Sequence, residues 1–119
     1  MPVTVTKTGG HRAEIAWERG DDPTGYLSHT VESDQLAHAL EAVGQPSPAP
    51  GEPDEDLAAA RQTADLARLL ERRAAVQVVQ LRDHHQLSWR RIAAVMFESP
   101  DRQSSVRRMY ESGRRHLGT

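Results

Sequence analysis

The chain has 119 residues and a mass of 13.2 kDa, a size that fits one domain, or one with a small appendage, and excludes a large multi-domain enzyme. With no cysteine and five aromatic residues it can build neither a disulfide framework, a thiolate metal site nor a large β-sandwich core, which leaves helices packed through Leu, Val, Ile and Ala. The formal net charge of −2 conceals a division: residues 1–57 carry three basic groups against eleven acidic, a net of −8, while residues 58–119 carry twelve Arg against six acids, a net of +6.

The first residues, Met1 to Lys7, hold no apolar run of signal-peptide length, and nowhere does the chain approach the ~20 apolar residues of a membrane span. A cytoplasmic protein without membrane contact is expected. Alternation of Val3 and Val5 with Thr4 and Thr6, then of Ala13, Ile15 and Trp17 with Glu14 and Glu18 across Gly9-Gly10, predicts a β-hairpin. After the turn-rich segment Arg19 to Gly25, Tyr26 to Val31 is read as a third short strand. Ser33 is then placed to N-cap a helix carrying Leu36, Leu40 and Val43, with Gly44 ending it.

Four of the seven prolines fall between Gln45 and Pro53, which predicts an extended linker over 45–53. Pro53 then suits a first helical position, and Asp54, Glu55 and Asp56 place negative charge at the positive end of the helix dipole. From Leu57 to about His85 there is no Gly or Pro, and Ala59, Thr63, Leu66, Leu70, Ala74, Val78 and Leu81 recur every three or four residues. A long helix, or two helices in line, is predicted, widened on its buried face by Leu69, Ala75, Val76 and Val79.

Ser88 is a natural N-cap for a short helix with Trp89, Ile92, Ala93 and Met96 inward. Glu98 to Asp101 breaks that helix, with Pro100 acceptable at the first position of the next. In the last helix Val106, Tyr110, Gly113 and Leu117 form an inward stripe, which leaves Ser104, Arg108, Glu111, Ser112 and Arg115 outward and Arg107 and Arg114 on the flanks. Three helices in this order, the second short and the third rich in Arg outside, describe a helix-turn-helix DNA-binding module.

Leu87-Ser88-Trp89-Arg90-Arg91-Ile92-Ala93-Ala94-Val95-Met96, followed by Val106-Arg107-Arg108-Met109-Tyr110 and by Gly113 to Leu117, resembles the helix-turn-helix of the sigma-70 region 4-like family. The resemblance covers roughly Arg72 to Leu117, and the connection from Phe97 to Val106 is longer than in that family. It implies a recognition helix in a major groove, where Arg donates bidentately to guanine and Gln to adenine. On that geometry Arg102, Gln103, Ser104, Arg107 and Arg108 lie near bases, and Arg90, Arg91, Arg114 and Arg115 on the phosphate backbone.

The expected fold is therefore mainly α: a C-terminal three-helix helix-turn-helix (about 74–117) preceded by a long helix within 54–119, a linker over 45–53, and an acidic β-hairpin and helix unit over 1–44. The expected function is sequence-specific transcriptional regulation on double-stranded DNA. Because one module buries little DNA, a homodimer is expected, with Leu66, Leu70 and the N-terminal unit as candidate interface. The alternative is a sigma-like protein-interaction module, binding RNA polymerase, an anti-sigma factor or a toxin without stable DNA binding of its own; the acidic N-terminal unit is a candidate surface for a protein partner. No cofactor, metal or catalysis is expected. His84 and His85 are adjacent, His11, His29 and His38 lack ligand-spaced partners, and the carboxylates of Glu52 to Asp56 have neither an apolar pocket nor a nucleophile beside them.

Overall fold

The computed structural model of the chain describes residues 3–44 and 51–118. Two compact units emerge, Met1–Thr63 and Ala64–Thr119, with the boundary inside the long helix. The predicted Pro-rich linker lies largely outside the described residues.

In the first unit β1 (Thr4–Gly9) pairs antiparallel with β2 (Arg12–Ala16), Val5 opposite Ile15 and Thr6 opposite Glu14, with an irregularity between Lys7 and Gly9 next to the turn. Strand side chains are exposed except Ile15, which is half-buried. A single 3-10 turn, Arg19–Asp21, follows, closed by the Asp21 carboxylate accepting from the Glu18 N–H at 2.9 Å.

Tyr26 to Val31 is not a strand: it belongs to helix α1 (Tyr26–Glu32). The cause lies upstream, where the Asp22 carboxylate accepts from the Leu27 and Ser28 N–H groups at 3.0 and 2.9 Å and satisfies first-turn donors that have no partner within the helix. Gly25, in the left-handed region at φ 74°, turns the chain into it. The two backbone donors hold the Asp22 carboxyl below its ordinary value of 3.8. Ser33 is likewise not an N-cap; it is the C-cap of α1, and Asp34, at φ 64°, reverses the chain into α2 (Gln35–Gly44). Asp34 tolerates that conformation as a short polar residue.

Helix α3 (Pro53–Asp83) runs unbroken for 31 residues from Pro53 through the acidic first turn. Its start is tied by the Asp56 carboxylate accepting from the Gly51 N–H at 2.9 Å.

The second unit combines the C-terminal part of α3 with α4 (Trp89–Met96) and α5 (Gln103–His116). Val78 of α3, Ile92 and Ala93 of α4 and Val106 of α5 form its buried centre, with Leu81, Leu87, Trp89, Phe97, Met109 and Tyr110 packed around them. The predicted broad face of α3 is present: Leu66, Ala75, Val78 and Val79 are buried, whereas Leu70 turns outward. Ser88 N-caps α4, its hydroxyl accepting from the Arg91 N–H at 3.1 Å. Met96 points to solvent, and Phe97 takes its place against the core.

Pro100 does not begin α5. It occupies the second position of a turn closed by the Arg102 N–H donating to the Ser99 carbonyl at 3.2 Å, where its fixed φ is preformed, and the helix starts three residues later. Glu98, at φ 54°, supplies the preceding bend. At the far end Leu117 leaves the inward stripe as the exposed C-cap of α5. Gly113 marks the closest approach of α5 to α3: a Cβ there would sit 2.3 Å from the Ala75 carbonyl oxygen and 2.8 Å from a Val79 methyl. Only glycine admits that crossing.

Candidate nucleic-acid interface

Burying Val106 fixes the rotation of α5, because residues at helical spacing from it must share its face. Ser104, Arg108, Glu111 and Arg115 are then exposed on the opposite side, while Arg107 and Arg114 occupy one flank and Met109, Ser112 and His116 the other. The residues expected near bases thus divide. Arg108 and Ser104 share the outward face, and Arg107 does not.

The Arg107 flank is organised by Trp89. Its ring meets Tyr110 edge to face, centroids 5.2 Å apart, and lies 4.4 Å from the Arg82 guanidinium and 5.6 Å from that of Arg107. Arg82 also donates to the Leu87 carbonyl at 3.0 Å, locking the connection between α3 and α4. The Tyr110 hydroxyl donates to Asp83 at 2.6 Å and accepts from Arg114 at 3.2 Å. Arg114, expected on phosphate, is therefore held by the protein through Tyr110. Arg102 is engaged as well: its guanidinium donates to the Ser105 hydroxyl at 3.3 Å and stands 5.0 Å from the Phe97 ring. Gln103 is half-buried in the first turn, and Arg90 and Arg91 are exposed at the start of α4.

On the other flank a groove of about 530 Å³ separates α5 from α3. Arg108 and Arg115 line it from α5, facing Arg68 and Arg72 on α3, with Ser112 half-buried at its side rather than outward. Arg68 and Arg72 were not singled out by the sequence, although their four-residue spacing placed them on one face of the helix. The two leucines proposed for an interface part company: Leu66 is 7% exposed and Leu70 59%.

The second unit carries eleven Arg and six acidic residues. Among the described residues no three His or acidic side chains gather as a metal ion requires, and no helix is long and apolar enough to cross a membrane. Compared with family models, with curated proteins and with solved structures, the chain matches none.

Proposed function

We propose that the second unit is a helix-turn-helix module that binds double-stranded DNA, with α5 in the major groove, and that the chain is a sequence-specific transcriptional regulator acting as a homodimer. The observation that carries it is the exposed basic surface spread over α5 and the start of α4 around one shared core. Such a surface neutralises phosphates and releases counterions, and the order long helix, short helix, Arg-rich helix is that of the module whose last helix reads bases. Arg108 and Ser104, outward and exposed, are the residues placed for base edges; Arg90, Arg91 and Arg115 serve the backbone. Selection from a random-sequence duplex pool tests this. The expected product is a palindromic or direct-repeat site whose enrichment is lost in an Arg107→Ala/Arg108→Ala variant, and a pool without any enriched motif counts against it. Dimerisation is checked by sedimentation with and without DNA, where a monomer at every concentration would refute it.

A second reading, docking on another protein, draws on one observation: Val95 is 77% exposed on α4, next to the outward Met96. A Val95→Asp change separates the two. It leaves DNA affinity nearly unchanged if α5 binds DNA, and abolishes partner binding if α4 is the docking face.

A further inference from the structure

The groove between α3 and α5 is basic and poorly neutralised. Arg68 and Arg72 stand one turn apart on α3, about 6 Å along its axis, and Arg108 and Arg115 two turns apart on α5, about 10.5 Å. All four line the groove, with Ala75 and Met109 as its apolar floor and Glu71 as its one carboxylate. Arg68 is shared with Asp65 at 2.7 Å, an exposed pair of the kind that contributes little. Among the described residues Arg72, Arg108 and Arg115 have no hydrogen-bond or ion-pair partner. Like charges lining one channel repel each other, and an anion entering it relieves that repulsion. Guanidinium forks match phosphate oxygens bidentately, and arginines contributed by two separate helices can engage more than one phosphate of a strand.

We propose that Arg68, Arg72 and Arg115 of this groove hold the phosphate backbone of one DNA strand, extending the contact surface from α5 onto the long helix while Arg108 keeps the base-reading role. The proposal rests on the DNA-binding reading of α5. It assigns Arg68 and Arg72 to affinity and not to sequence choice, since phosphate contacts position the protein and carry no base information.

The test titrates the full chain against a short mixed-sequence duplex by fluorescence anisotropy between about 50 and 200 mM salt. Wild type is compared with Arg68→Ala/Arg72→Ala, Arg72→Gln and Arg72→Lys, with helix content checked by circular dichroism and with ATP and pyrophosphate as competitors. Two lost phosphate contacts lower the log–log salt slope by about 1.8, so that the double variant loses about tenfold less affinity over that salt range than wild type does. Arg72→Gln lowers the slope by about 0.9 and Arg72→Lys keeps it, while the preferred DNA sequence is unchanged in all three. Wild-type binding with an unaltered slope in both Arg72→Gln and the double variant overturns the groove and leaves the α5 reading standing. Absence of any duplex binding by wild type overturns both. Displacement of the duplex by ATP beyond what equal ionic strength produces assigns the groove to a small nucleotide and overturns the strand.

Discussion

Asp22 shows how one side chain redirects a segment. Tyr26 to Val31 has the composition of a strand, yet two backbone N–H groups bonded to the Asp22 carboxylate commit it to α1. Because these bonds lower the folded pKa, their stabilisation is fully present above the unfolded carboxyl value and is lost as pH falls through the lowered folded value. Acidification below 3.8 is therefore expected to move the Leu27 and Ser28 amide resonances toward unbonded positions with a midpoint under that value. Asp22→Asn removes the titration; a midpoint above 3.8 in the wild type would show that the carboxylate does not cap the helix. The arginines obey the same logic of partners. Arg82, Arg102, Arg107 and Arg114 are drawn onto aromatic rings or hydroxyls of their own unit, which leaves Arg108 and Arg115 outward with no hydrogen-bond or ion-pair partner among the described residues.

Among elements, the crossing of α3 and α5 is set by Gly113. Alanine is the better helix former by roughly 1 kcal/mol, so a solvent-facing glycine replaced there would stabilise the helix. Here the added methyl meets a backbone carbonyl that cannot rotate away, and Gly113→Ala is expected to destabilise by about 1–3 kcal/mol and lower the melting temperature of the second unit. An unchanged or raised melting temperature would mean that the two helices do not touch there. The hairpin lies at the other extreme. Its strands bury little, and a two-stranded sheet is marginal alone, so the amides of β1 and β2 are expected to exchange hydrogen well before those of Val78, Val79 and Ile92. Equal protection would require a cover over the hairpin.

Most of these elements were legible in the sequence because their signals are local. The hairpin, whose turn falls on Gly10 and His11, one residue on from Gly9-Gly10, the acidic start at Pro53 and the Ser88 cap read closely onto the structure, and of the two arrangements expected after Pro53 the single helix to Asp83 is the one present. What escaped depends on partners beyond the nearest neighbours. Asp22 acts five and six residues ahead, Pro100 serves a turn closed by Ser99 and Arg102 instead of opening a helix, and Phe97 displaces Met96 only because three helices meet. For the candidate site, the helix and its outward residues followed from periodicity, whereas the separation of Arg107 from Arg108 and the recruitment of Arg68 and Arg72 required knowing which flank faces Trp89 and which faces α3.

For the whole molecule the decisive quantity is the separation of charge along the chain, −8 before residue 58 and +6 after it. Near-neutral net charge gives no general attraction to a polyanion, so the DNA binding we propose requires the local field of the second unit and is expected to fall steeply with salt. The most direct test is titration of the full chain with a labelled duplex at several salt concentrations, wild type beside Arg108→Ala/Arg115→Ala and Arg107→Ala. We predict tight binding at low salt with a steep salt slope, a large loss in the double variant and a smaller one in Arg107→Ala, whose guanidinium rests beside Trp89. Binding too weak to measure at low salt, or equal affinity in wild type and the Arg108→Ala/Arg115→Ala variant, would contradict α5 as the DNA-reading helix.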